Sequence, residues 1–182
     1  MILRRLISAL CVAMLGIALP AHAQEAATRS GPVFSEFGKW TVVDNEQPAP
    51  IEQTYKVIFD ATEGAEDGEV NWRFDSAARF INLLVENGVP RENIEVAIIV
   101  HGPSGYDITT RERYERQYPG RTHASHDVVE AMIADGVRFY ICGQSANARG
   151  ITNDDLIEGA VMTLSQTVAT AILHNEGFTN IP

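Results

Sequence analysis

From Tyr55 onward, short β-rich runs alternate with stretches whose apolar residues recur at helical spacing. Tyr55 to Asp60 (YKVIFD) reads as a first strand. Asn71 to Asn87 reads as a helix, with Phe74, Ala77, Ala78, Ile81, Leu84 and Val85 on one face and Gly88 closing it. Ile94 to Val100 (IEVAIIV) is almost wholly apolar, as expected of a central strand covered on both sides. Thr109 opens a charged helix with Glu112 in capping-box spacing, and Pro119-Gly120 ends it. Ser125 caps the next helix, whose apolar face is Val128, Val129, Met132 and Ile133. Val137 to Ile141 (VRFYI) is a third strand that leads directly to Cys142. Thr152 caps a brief helix, Ala160 to Leu164 is a fourth strand, Ser165 caps a helix through Glu176, and Phe178 to Ile181 is the last strand.

This alternation predicts an α/β fold in three layers: a mostly parallel five-stranded sheet, joined by right-handed crossovers, with helices on both faces. In such sheets ligands bind beyond the carboxyl ends of the strands, at a switch point in strand order. Asp60, His101 and Cys142 fall at those ends.

The N-terminal part has a different character. Arg4 and Arg5 precede an apolar run from Leu6 to Leu19, and Ala21-His22-Ala23 supplies small residues where a signal peptidase reads. Residues 1–23 are therefore expected to be a signal peptide and the mature chain to start at Gln24. The apolar run is too short for a confident span, which needs about 20 residues, so the mature form is expected to have no membrane span. Residues 24–53 carry Pro32, Pro48 and Pro50 without a sustained period, yet Phe34, Phe37, Trp40, Val42 and Val43 are too apolar for a solvated tail. They read as an extended arm packed on its own domain or on a neighbouring subunit. Residues 54–182 form the domain proper.

Composition narrows the chemistry. The net charge is −10, and losing Arg4 and Arg5 takes it to −12. No basic patch for nucleic acid is in prospect. Lys39 and Lys56 are the only lysines, which argues against lysine-based phosphate cradles and Schiff-base chemistry. Cys11 leaves with the signal peptide, so Cys142 has no partner within the mature chain. In an oxidising compartment it is a buried inert thiol, half of an intermolecular disulfide, or a reactive group.

The segment Cys142-Gly143-Gln144-Ser145-Ala146-Asn147-Ala148-Arg149-Gly150 supports the last reading. A cysteine at a strand end, followed by a tight turn into a helical segment, faces unpaired backbone N–H groups. Together with a cation at Arg149 these favour the thiolate, the nucleophilic form. The alternative is a plain strand–turn–helix corner with a small core residue. His101, before Gly102-Pro103, is either a partner or proton shuttle for Cys142 or a histidine satisfied by backbone. Asp60 is equally open, since a carboxylate at a strand end often caps the next loop. His123 and His126 have metal-friendly spacing beside Asp127, but nothing nearby completes a tetrahedral set, so no metal is expected. The acidic loop Glu63, Glu66, Asp67, Glu69 lacks the ligand order of a calcium loop. No G-x-G-x-x-G follows the first strand and no P-loop motif occurs, so no nucleotide cofactor is expected.

The stretches VIFDATEG, IIVHGPS and FYICGQSANARGI together resemble the DsrE/DsrF-like family, and the resemblance runs from about Tyr55 to the C-terminus. It implies a compact domain that assembles into trimer-based hexamers, and a sulfur carried as a cysteine persulfide. By position the carrier is Cys142, with Arg149-Gly150 matching the segment after it and His101 in the loop beside it. The family's tRNA-thiolation members work in the cytoplasm, whereas this acidic chain carries an export signal. The expectation is thus a periplasmic or secreted persulfide or thiol-redox carrier, sulfurtransferase-like, using Cys142, Arg149 and His101. Its partners would be itself, as homotrimer or homohexamer, and a sulfur donor or acceptor protein. The alternative is a non-catalytic oligomeric protein that binds a small ligand and keeps a structural cysteine. Solvent access to Cys142 separates the two.

Overall fold

A computed structural model describes residues 27–181. The expected signal peptide, residues 1–23, lies outside them. The elements in chain order are β1 (Thr28–Arg29), β2 (Trp40–Thr41), β3 (Tyr55–Ala61), α1 (Trp72–Glu86), β4 (Ile94–Val100), α2 (Arg111–Gln117), α3 (Ser125–Ala134), β5 (Arg138–Cys142), α4 (Gly143–Ala148), β6 (Val161–Thr163), α5 (Gln166–Asn175) and β7 (Thr179–Ile181).

Five strands form one sheet in the order β6-β5-β4-β3-β7, and every neighbouring pair is parallel. The order explains how the helices are shared out. Each step from β3 to β4, β5 and β6 moves the chain the same way across the sheet, so crossovers of one hand lay their helices on one face. The step from β6 to β7 carries the chain back past three strands and must lay α5 on the other face. Strand direction in sequence reverses only at that crossover, where β7 joins beside β3. Cys142 therefore ends a strand, as expected, but lies away from the point where the order reverses.

The two faces are unequal. Val57, Phe59, Ile94, Val96, Ile98, Phe139 and Ile141 point into a large core closed by α1, α3 and the segment after β4. At its centre Phe74 and Phe139 meet edge to face, with ring centroids 5.3 Å apart. On the opposite face Ile58, Ala97 and Ile99 pack against Ala169 and Leu173 of α5 and against Phe178, in a much smaller cluster.

The arm lies on its own domain. Asn82 of α1, fully buried, accepts backbone N–H groups of Val33 and Phe34 at its Oδ1 and donates through Nδ2 to the carbonyls of Phe34 and Gly38. Phe34 and Trp40 are buried, and β1 and β2 form a small antiparallel pair. Val42 and Val43 stay exposed.

Two expected caps are replaced. Thr110, not Thr109, caps α2, accepting the Arg113 N–H, while the Thr109 hydroxyl donates to the Tyr106 carbonyl. Ser125 is the first residue of α3 and not its cap; its Oγ accepts the N–H of Asn71 from across the domain. Residues Gly102–Ile108 wind into a 3-10 helix, an element the apolar pattern does not show.

Candidate functional site

Sheet register and side-chain alternation decide what meets at the strand ends. Asp60 lies two residues beyond Ile58, and His101 two beyond Ile99, so both point to the α5 face. His101 extends β4: its backbone is extended and its N–H donates to the Ala61 carbonyl. Cys142 lies one residue beyond Ile141, which faces the large core, so its side chain turns to the α5 face as well. Val100 pairs with Ile141, which puts His101 in register beside Cys142. The three residues thus sit on adjacent strands β3, β4 and β5, at one edge of one face.

Cys142 is a free thiol and is 7% exposed. It belongs to neither apolar cluster, unlike Ile141 before it. Gly143 makes the following turn possible, because a Cβ there would collide with the Thr163 carbonyl oxygen on the neighbouring strand. Cys142 is the N-cap residue of α4, yet its sulfur accepts no hydrogen bond from the first turn. The expected thiolate-facing N–H groups are present in sequence but do not engage Sγ.

His101 is held from the side away from Cys142. Its Nε2 lies 2.9 Å from Asp60 Oδ1 and 3.2 Å from Thr62 Oγ1. Asp60 Oδ1 is shut off from solvent and receives no aligned hydrogen bond, despite that short separation. The ring's N–H direction misses the oxygen. His101 Nδ1 has no hydrogen-bond partner among the described residues.

Arg149 makes no hydrogen bond to Cys142. It ends α4, and its Nη1 lies 3.1 Å from Ser145 Oγ. Ser145 Oγ in turn accepts the Gly102 N–H at 2.8 Å, so the arginine braces the loop that follows His101. Gly102 has φ +67°, and a Cβ would press on the Thr62 carbonyl, which makes this loop a glycine position. Ser104 ties the strand ends together, its hydroxyl directed at the carbonyls of Ala61 and His101. The roles of Thr62 and Ser145 escaped the sequence reading, since nothing in their spacing distinguishes them from other loop hydroxyls.

A second polar cluster lies within the large core. The Asp107 carboxylate accepts Asn71 Nδ2 at 2.6 Å and the Ala65 N–H at 2.9 Å, clamping the loop between β3 and α1. Burial outweighs these bonds and pushes its carboxyl up to about 6. His123 stacks on Tyr114 at 4.0 Å and shares a 2.9 Å bond between Nε2 and the Thr109 carbonyl. Burial holds its imidazole down at about 4. Neighbouring His126 offers a ligand atom with Asp127 and Glu130, all three within 4.8 Å of one another. Arg111 already pairs with Asp127, drawing that carboxyl below its usual range and competing with any cation. No helix among the described residues is long and apolar enough to cross a membrane.

The ychN protein from E. coli is similar in fold, with TM-score 0.50 and 19% identity over 70% of this chain and 99% of that one. MTH1491 from Methanobacterium thermoautotrophicum, a protein of unknown function, gives TM-score 0.49 and 20% identity over 70% and 97%. No curated protein matches the sequence. The model of the DsrE/DsrF-like family matches residues 55–181, a span that starts at the first residue of β3 and takes in the whole parallel sheet with its strand-end residues. The chain belongs to the DsrE/DsrF-like family.

Proposed function

We propose that this protein is an exported sulfur carrier in which Cys142 holds a sulfane sulfur as a persulfide. The observation that carries the reading is the pairing of Cys142 with His101 in register at the strand ends, outside both apolar cores. A cysteine kept only for packing gains most inside such a core. The transfer needs no external oxidant. The Cys142 thiolate attacks the outer sulfur of a donor persulfide R–S–SH; the new S–S bond forms as the donor's breaks, and R–S⁻ leaves. His101 takes the thiol proton and returns it to the leaving thiolate. An acceptor thiol removes the sulfur by the same exchange in reverse. Arg149 supports the loop beside His101 through Ser145 and does not act on the sulfur directly.

Mass spectrometry after incubation with polysulfide tests this. One or more added sulfurs should appear on the wild type and none on Cys142→Ser. The low exposure of Cys142 favours the second reading, a small-ligand-binding protein with a structural cysteine. That reading stands if the folded thiol gains no sulfur and resists alkylation from about pH 6 to about pH 9.

Two further parts of the proposal have their own tests. Export follows from Arg4, Arg5, the apolar run and Ala21-His22-Ala23, and N-terminal sequencing of exported material should start at Gln24. Self-association as homotrimer or homohexamer is supported by Val161, Leu164, Val168 and Ile172, large apolar side chains left exposed on and beside α5. A monomer at high concentration in analytical ultracentrifugation overturns it.

A further inference from the structure

We propose that Asp60 is the positioning residue of the site: its carboxylate fixes the proton of His101 on Nε2 and so leaves Nδ1 as the base for the Cys142 thiol. The inference rests on the carrier reading above and adds to it a third residue, from a third strand.

A neutral imidazole has one N–H and one lone pair, and which nitrogen carries which is set by its neighbours. His101 Nε2 stands 2.9 Å from Asp60 Oδ1. An ionised carboxylate accepts and never donates, so it selects the tautomer with the proton on Nε2. Thr62 Oγ1, 3.2 Å from the same nitrogen, accepts in that tautomer too. The lone pair then falls on Nδ1, the nitrogen without a hydrogen-bond partner among the described residues. His101 and Cys142 are register neighbours on strands about 4.8 Å apart, although no hydrogen bond joins ring and thiol in the resting structure.

Asp60 Oδ1 supplies the second observation. It is removed from water and has no aligned donor, an expensive state for a carboxylate oxygen. Turning Nε2–H from Thr62 Oγ1 toward it would satisfy that oxygen. The cost is recovered when the ring takes the thiol proton, because the imidazolium then faces a carboxylate in a partly shielded place. The surroundings leave this role to Asp60. At the end of β3 the ring meets Asp60 and Thr62, and on β5 Cys142 is its register neighbour. The nearest cation of α4, Arg149, is bonded to Ser145. The one titratable side chain of α5, His174, lies at the far end against Asn180.

The test compares wild type, Asp60→Asn, Asp60→Glu, His101→Ala and the double variant Asp60→Asn/His101→Ala in the full mature protein. Two readouts are followed against pH: sulfur loading from polysulfide and alkylation by iodoacetamide, which needs no sulfur chemistry. His101→Ala should slow both by about a hundredfold, and Asp60→Asn by about tenfold. Asp60→Asn should also move the acid limb of both profiles, while Asp60→Glu keeps the wild-type profile. In the double variant Asp60→Asn should add nothing to His101→Ala, since a positioning residue acts only through the group it positions. Additive losses, an unmoved profile, or an Asp60→Asn chain that fails to fold each overturn the inference. A wild type that alkylates with this coupling but never loads sulfur overturns the carrier reading and leaves the Asp60–His101 pairing standing.

Discussion

The two faces of the sheet divide the work between them. The α1 face holds the large core, the Phe74–Phe139 contact and the buried Asp107–Asn71 and His123–Thr109 bonds. The α5 face has one helix, a small apolar cluster and the exposed ridge of Leu164, Val168 and Ile172. Asp60, His101 and Cys142 all point to this second face. The larger apolar core thus lies on the face away from these three residues, and they share the face with the smaller one. Dense packing holds strand ends within a fraction of an ångström, whereas chemistry at a thiol needs room for a second reactant. One strand serves both needs, because successive side chains point to opposite faces.

The sharpest way to break this division is Cys142→Ser. Sulfur loading should vanish while stability changes by less than about 1 kcal/mol, read by mass spectrometry and urea melts of the same sample. A large loss of stability would make Cys142 a core residue after all. Next in size, Phe139→Ala on the α1 face should cost about 3–5 kcal/mol, against about 2 kcal/mol for Leu173→Ala on the α5 face. Equal costs would show the faces to be equally packed.

The pH dependence of folding sharpens the comparison further. Asp107, held at about 6 against an ordinary 3.8, binds a proton in the folded state that the unfolded chain has released. It therefore removes stability as pH rises from about 4 to about 6. His123, held at about 4 against 6.5, has the opposite sign and adds stability over nearly the same window. In the wild type the two slopes offset each other. Asp107→Asn removes one of them, so the variant should gain on wild type by on the order of 3 kcal/mol between about pH 4 and about pH 6.5, measured by urea midpoints. The smallest effect expected is that of Ile172→Glu, within about 0.5 kcal/mol of wild type in folding. Its consequence should appear in sedimentation, as a shift to smaller species.

Much of this arrangement was legible in the residue order. The nearly unbroken apolar run Ile94 to Val100 is a central parallel strand because both its faces are covered, and Thr152 and Ser165 cap where local spacing placed them. Thr109 and Ser125 misled because their hydroxyls serve other partners: Thr109 bonds Tyr106 in the preceding turn, and Ser125 bonds Asn71, 54 residues away. Local spacing carries no record of such competition. The strand-end positions of Asp60, His101 and Cys142 followed from the alternation of elements. That they share a face followed only once register was known. Arg149 went the other way, since its reach depends on how α4 turns after Gly143, and that turn sends the guanidinium to Ser145.

The backward step from β6 to β7 also has a meaning in time. Synthesis delivers the chain from its N-terminus, and α5 with β7 are the last elements to emerge. The strands β3 to β6 and the helices of the α1 face can assemble before the α5 face has any cover. During that interval the face to which Cys142 points has no helix over it, and a thiol reagent meets the cysteine before α5 is in place. A chain stopped after Ser165 should preserve this intermediate, with its large core intact and its thiol modified by iodoacetamide faster than in the full protein.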